Sequence, residues 1–329
     1  MVTHAGITEA AELLKGKIIR TPLVYSPTFS AMTGAEVYLK LETLQKAGSF
    51  KVRGAAYRIL SQQSSIGRNG VIAASAGNHA QGVAVAAGIA GIPSMIVMPV
   101  WVSPSKQEAT AGYGATIILE GTTLQDSIDY AMNRATSGDM TFIHPYDDEA
   151  VIAGQGTIGL EILEDLSEVD MVITPIGGGG LIAGIATALK ERRPAIRVIG
   201  VQASACPSAV SALRAGEPVT IESHQTIADG IRVTRTGNVT YPIIRDLVEE
   251  VVLVEDEEIV SSVFALLERK KVLAEGAGAA PLAALLSGKV RYRPGEKIVL
   301  VIGGGNIDAF LLEKILRRGL FEAGRILQC

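Results

Sequence analysis

Apolar and polar positions along the chain repeat one unit: a short β-branched run, a turn bearing glycine or proline, then a longer alanine-rich segment. "VIAA" at 71–74 leads through Ser75-Ala76-Gly77-Asn78 into such a segment, and "SMIVMPV" at 94–100 leads through Ser103-Pro104, where proline suits a first helical turn. "ATIILE" at 115–120 runs into Thr122-Thr123-Leu124-Gln125-Asp126, a helix entrance. A larger series follows "TFIHPYDD" at 141–148, with a helix near 150–165 and strands at 171–176, 197–202, 250–255 and 297–303. Strands alternating with helices predict parallel sheets covered on both faces. The helix after Val254 opens on Glu255, Asp256, Glu257 and Glu258 and closes on Arg269, Lys270 and Lys271, each charge suited to its end of the helix dipole. Glu9, Glu12, Lys15 and Lys17 stand among apolar residues near the start, which reads as an amphipathic helix and not a signal peptide.

A length of 329 residues predicts two domains. Hydrophobic residues make up 48% and charged ones 19%, an apolar balance that suits buried parallel sheets. The net charge of −4 and the absence of any basic run exclude a nucleic-acid footprint. From Ala80 to Ser105 no residue is charged, long enough to span a membrane, but Gly88, Gly91, Pro93 and Pro99 divide it into helix, turn and core strand. No membrane association is expected. Cys206 and Cys329 stand far apart without metal-ligand spacing, so neither a disulfide framework nor a zinc site is expected, and a reducing cytoplasm fits.

Ligands of open α/β sheets lie beyond the carboxyl ends of the strands. Three loops there are glycine-rich: Ser75-Ala76-Gly77-Asn78, Gly177-Gly178-Gly179-Gly180 and Gly303-Gly304-Gly305-Asn306. Four glycines between an apolar strand and a helix uncover backbone N–H groups at a helix N-terminus, which favours a phosphate over a merely crowded turn. Gly178-x-Gly180-x-x-Ala183 formally fits a dinucleotide fingerprint, but the next strand ends on Gln202 where an acid should hold the ribose. No P-loop lysine closes any glycine run. In "GSFKVRGA" at 48–55, Lys51 lies between Phe50 and Val52. It either starts a helix and points into water or is buried as a neutral amine, and the second case combined with a phosphate suggests pyridoxal 5'-phosphate.

"GSFKVRGA" at 48–55, "SAGNHAQG" at 75–82, "HPYDDEAVIAGQGTIGLEI" at 144–162, "GGGGLIAGI" at 177–185, "ADGI" at 228–231 and "GGGNID" at 303–308 together resemble the serine/threonine dehydratases. These are pyridoxal-phosphate enzymes of the tryptophan-synthase-β fold type, fold type II. The resemblance implies two open, twisted, mostly parallel sheets with helices on both faces and the active site between two domains. Residues 65–149 would form a small domain inserted in a large one made of 1–64 and 150–329. Lys51 would be the Schiff-base lysine and catalytic base, Phe50 would pack beside the ring, and Asn78 would bond its hydroxyl. Gly177, Gly178, Gly179, Gly180 and Leu181 would cradle the phosphate, with Glu275 and Gly303 beside the ring. Ser75, Ala76, Gly77, Asn78 and His79 would hold the substrate carboxylate. L-Threonine would give 2-oxobutyrate and ammonia, and L-serine pyruvate. A cytoplasmic homodimer or homotetramer is implied, with a small amino acid as its ligand.

Departures from the family pattern refine this. Ala76 stands where serine racemases carry an acid/base serine, so racemisation should be poor. Gln202 and Ser208 replace the metal carboxylates of those racemases, so no divalent metal is expected there. Gly303 lacks the serine side chain that usually pairs the pyridine nitrogen. The chain stops at Cys329, before the regulatory domain that longer relatives append, so feedback through such a domain is not expected. His4, His144 and His224 have no partner spacing and are read as structural or solvated. Glu161 and Glu164 are read as a wet helix face. A hydroxyaspartate dehydratase or racemase-like enzyme, an NAD-binding oxidoreductase and a non-catalytic amino-acid sensor remain alternatives.

Overall fold

The computed structural model describes residues 2–322, 324 and 325, so the reading on Cys329 lies outside the described residues. Its strands are β1 (Leu23–Tyr25), β2 (Glu36–Leu41), β3 (Val71–Ala74), β4 (Ser94–Met98), β5 (Thr116–Leu119), β6 (Thr141–Phe142), β7 (Met171–Pro175), β8 (Arg197–Ala203), β9 (Glu250–Val254) and β10 (Lys297–Ile302). They form a six-stranded sheet, β1-β2-β10-β7-β8-β9, and a four-stranded sheet, β5-β4-β3-β6. Every pair is parallel except β1 with β2. The large sheet has apolar residues on both faces. Leu39, Ile173, Val201 and Leu300 pack against helices Asp256–Ala265 and Gly276–Leu286 on one side, while Val172, Val198 and Val299 pack against helix Gly180–Arg192 on the other. In the small sheet, Val71, Ala73 and Ile96 share a core with helices His4–Leu14, Lys51–Ser61 and Asn78–Ala90, and Ile72 and Val97 meet Ala131 of helix Leu124–Ser137. This is the α/β arrangement expected, with both faces of each sheet covered.

Local chemistry sets the helix starts. The Thr3 hydroxyl accepts from the Gly6 N–H, Thr123 and Asp126 close a reciprocal capping box, and the Asp148 carboxylate accepts from the Val151 N–H to start helix Glu149–Asp165. Of the charged end expected at 269–271, Arg269 and Lys270 close a π-helical turn, Leu266–Lys270, that continues helix Asp256–Ala265, and Lys271 caps it.

Helix Lys51–Ser61 is held from two sides. A side chain at Gly154 would stand 2.6 Å from the Arg53 carbonyl, so only glycine lets helix Glu149–Asp165 come this close. Buried charge supplies the second hold. Arg53 is fully buried and forms two two-pronged ion pairs, with Glu42 at 2.8 and 2.9 Å and with Glu161 at 2.7 and 2.9 Å. The Lys40 ammonium, also fully buried, donates to Glu161 at 2.6 Å and to the Thr21 carbonyl at 2.6 Å. Burial opposes the guanidinium charge, but Glu42 and Glu161 outweigh it and hold its pKa above the ordinary arginine value. Two cations and two carboxylates balance inside the protein. Glu161 therefore does not belong to a wet helix face, because its partners approach from β2 and helix Lys51–Ser61; Glu164, with its side chain 66% exposed, does.

Candidate active site

Strands β2, β10 and β7 lie side by side and run parallel, so the segments leaving their carboxyl ends emerge together. The segment before Lys51 runs against the exit of β10. The Phe50 N–H donates to the Gly303 carbonyl at 3.1 Å, the Gly305 N–H to the Gly48 carbonyl at 3.0 Å, and the Asn306 amide to the Ala47 carbonyl at 2.7 Å. The exit of β3 in the other sheet meets this junction. Asn78 Nδ2 donates to Glu275 Oε1 at 2.6 Å, and Asn78 Oδ1 accepts from Asn306 Nδ2 at 2.8 Å.

Lys51 opens its helix at this junction and is half-buried. Its Nζ donates to the Pro145 carbonyl at 2.8 Å and lies 5.3 Å from the centre of the Phe50 ring. Burial pushes the amine down to about 8, against the pull of Glu275. Buried Glu275 moves the other way, pushed up to about 8 by burial and by Asp229, with the Asn78 hydrogen bond opposing. At neutral pH the site therefore holds an amine and a carboxyl group whose protonation is readily exchanged.

Two helix N-termini carry no side-chain cap, one at Gly77 before helix Asn78–Ala90, at the junction itself, and one at Gly179 before helix Gly180–Arg192, which the junction reaches through Pro145 and Tyr146. The Gly77 N–H donates to Ser75 Oγ at 3.1 Å, and among the described residues no side chain caps the N–H groups that open either helix, which suits anions. The second is fitted closely to its surroundings. A Cβ at Gly178 would lie 2.3 Å from the Tyr146 ring, one at Gly180 would lie 2.9 Å from the Tyr146 carbonyl, and Gly179 adopts a φ of 101°. Glycine here is a requirement of packing, and the backbone is the chemistry left to present.

Of the residues singled out in the sequence, Phe50, Lys51, Asn78, Glu275 and Gly303 meet at the junction of β2, β10 and β3. Ser75, Ala76 and Gly77 are half-buried at its edge. A Cβ on Gly303 would be 3.4 Å from the Phe50 ring and 3.7 Å from Pro175, so the position has room for a side chain it does not carry. The His79 ring turns away to the Ile143 carbonyl at 2.9 Å, and burial pushes its pKa down to about 3, with the Lys51 charge acting in the same direction. A neutral ring so engaged has its backbone N–H left to offer. Leu181 is buried, so it too can offer only its backbone. Asn306, Pro145 and Tyr146 join them; Asn306 is legible in the sequence as part of a glycine-rich loop, whereas nothing in a sequence announces a backbone carbonyl. Gln202 is spent on structure. Its Oε1 accepts from the Ala209 N–H at 2.9 Å and its Nε2 donates to Ser208 Oγ at 3.2 Å, which leaves no group for a ribose and weakens the dinucleotide alternative further.

The chain is similar to known proteins over most of its length. The profile of the family described as "Pyridoxal-phosphate dependent enzyme" matches residues 14–304. An L-threonine ammonia-lyase of Thermotoga maritima is 47% identical over 99% of this chain and 80% of its own length. The catabolic L-threonine dehydratase TdcB of Escherichia coli is 48% identical over 94% of each chain. Among solved structures, maize serine racemase superposes with a TM-score of 0.91 at 35% identity, covering 98% of this chain and 99% of that one. A partly buried lysine of lowered pKa at the carboxyl ends of the parallel strands, in a chain that the family profile matches over most of its length, leads to one assignment: this chain belongs to the pyridoxal-phosphate dependent enzymes.

Proposed function

We propose that this chain is an ammonia-lyase that converts L-threonine to 2-oxobutyrate and ammonia, and L-serine to pyruvate and ammonia. The observation that carries the reading is Lys51, a partly buried amine whose pKa is pushed down to about 8, packed against helix Asn78–Ala90 and bonded to Pro145, the neighbour of the Tyr146 that packs on the glycine loop. Its residues suit pyridoxal phosphate. Gly177 to Leu181 would hold the phosphate through backbone N–H groups, Lys51 would bond the aldehyde carbon, and Asn78 would face the ring hydroxyl with Phe50, Glu275 and Gly303 beside the ring. When bound, the cofactor supplies an aldehyde that links to amines and a conjugated ring that draws negative charge from the adjacent carbon.

The chain's own groups do the rest. The uncapped turn at Ser75 to His79 binds the substrate carboxylate, which fixes the Cα–H bond relative to Lys51. With the substrate amine bonded in its place, Lys51 Nζ would be free to take the Cα proton, and the β-hydroxyl would leave as water on receiving a proton, for which the Lys51 ammonium so formed is a source the chain itself supplies. Burial serves this step by keeping the amine unprotonated for part of the time at neutral pH. Ala76 holds no proton to deliver to the opposite face, which favours elimination over racemisation.

The names of the relatives support threonine as substrate. We assign residues 65–149 to a small domain and 1–64 with 150–329 to a large one. Strands β3 to β6 all lie within the first of these, although helix Lys51–Ser61 also packs on the small sheet. No helix among the described residues is long and apolar enough to cross a membrane. A cytoplasmic homodimer or homotetramer completes the reading. The test is product formation from L-threonine, L-serine, 3-hydroxyaspartate and D-serine by the cofactor-loaded protein. The proposal expects 2-oxobutyrate from L-threonine and none with Lys51→Ala; turnover confined to 3-hydroxyaspartate, or D-serine as the main product from L-serine, would overturn it.

A further inference from the structure

Segment 143–148, which carries the chain from the small sheet into helix Glu149–Asp165, touches residues singled out in the sequence from three of its six positions. The Ile143 carbonyl meets His79, the Pro145 carbonyl meets Lys51, and the Tyr146 ring lies under Gly178. Asp147 does something else. Its carboxylate accepts from three consecutive backbone N–H groups, those of Asn238 at 2.9 Å, Val239 at 2.8 Å and Thr240 at 3.3 Å. These begin helix Thr240–Leu247, whose own N-cap residue, Val239, provides no side-chain cap. The approach is close enough that a Cβ on Gly237 would stand 2.1 Å from Asp147 Oδ1.

The turn that Asp147 fixes is the one that grips the glycine loop. The Thr240 hydroxyl donates to the Gly178 carbonyl at 2.7 Å, and the Gly237 N–H donates to the same oxygen at 3.2 Å. In a planar trans peptide the carbonyl and the following N–H point in opposite directions. Holding the Gly178 carbonyl toward helix Thr240–Leu247 therefore turns the Gly179 N–H away from that helix.

We infer that Asp147 is a positioning residue for the cofactor phosphate, acting through turn 237–240 to set the orientation of the Gly178–Gly179 peptide. This rests on the reading of Gly177 to Leu181 as the phosphate cradle. Asparagine at 147 offers one acceptor oxygen in place of two, so backbone donors lose their partner and the peptide they orient loosens.

The experiment compares two ligands that differ only in the phosphate. Cofactor-free wild type, Asp147→Asn and Thr240→Val are titrated with pyridoxal 5'-phosphate and with pyridoxal, following visible absorbance, and folding is checked by circular dichroism. Thr240→Val removes the hydroxyl while keeping the side chain's volume, and it provides the test should Asp147→Asn fail to fold. The inference expects pyridoxal phosphate to bind roughly tenfold or more weakly to both variants and pyridoxal to bind as in wild type. Equal weakening of both ligands, or no weakening, would overturn it. A wild type that binds pyridoxal as tightly as pyridoxal phosphate would instead overturn the cradle, and this inference with it.

Discussion

Lys51 and Pro145, 94 residues apart, are joined by a 2.8 Å hydrogen bond from the lysine ammonium to the proline carbonyl. The acceptor carries no charge, so the lysine is oriented without being locked as a cation. A carboxylate in that place would hold the proton firmly; the carbonyl lets burial set the pKa and leaves the amine free to leave for a better partner.

The buried charges around Arg53 should matter to stability out of proportion to their number. Arg53→Met leaves Glu42 buried without its cation, which costs about 3–5 kcal/mol. Arg20→Ala, which breaks exposed pairs with Glu164 and Asp165, costs under about 1 kcal/mol. Urea denaturation of the two variants measures the contrast.

Glu275 and Lys51 give the cofactor-free protein opposite pH slopes. Glu275 titrates at 4.5 when unfolded and at about 8 when folded, so between these values the folded chain binds the extra proton and stability falls as pH rises. Lys51 releases its proton at about 8 when folded against 10.5 when unfolded, so stability rises between these values. His79, pushed from 6.5 to about 3, adds a rise over that lower range and masks part of the Glu275 slope. Subtracting a variant isolates Glu275: the Tm of Glu275→Gln minus that of wild type should increase from about pH 5 to about pH 8. A constant difference would mean that Glu275 keeps its ordinary pKa.

Two glycines should respond oppositely to alanine. Gly178→Ala drives a methyl into the Tyr146 ring and should destabilise the protein by roughly 1–3 kcal/mol while weakening cofactor retention. Gly88, exposed near the end of helix Asn78–Ala90 with nothing within 4 Å of its Cβ position, should gain about 0.5–1 kcal/mol as alanine. Thermal unfolding with and without pyridoxal phosphate reads both effects.

What was legible in the sequence follows physical type. The strands bounded by glycine or proline turns, such as β3, β4 and β7, were read within two residues, because both their faces are buried and their sequences are continuously apolar. Strand β2 is not legible. Its Glu36 and Lys40 break the apolar run, and the reason Lys40 is tolerated, Glu161, lies 121 residues away. The same long-range pairing made Glu161 indistinguishable from Glu164 by spacing. The glycine loops declared themselves because a missing side chain is visible in a sequence. The Pro145 carbonyl and the Asp147 cap did not, since backbone acceptors and caps made across the fold leave no local pattern.

The most direct test of the account is the visible absorption spectrum of wild type and Lys51→Ala after incubation with pyridoxal phosphate and desalting, before and after L-threonine. Wild type should keep a yellow band that changes on adding threonine and recovers as 2-oxobutyrate accumulates, and Lys51→Ala should keep no such lysine-linked band and form no product. A wild type that retains no band, or a Lys51→Ala protein that keeps both band and turnover, would contradict the assignment of Lys51.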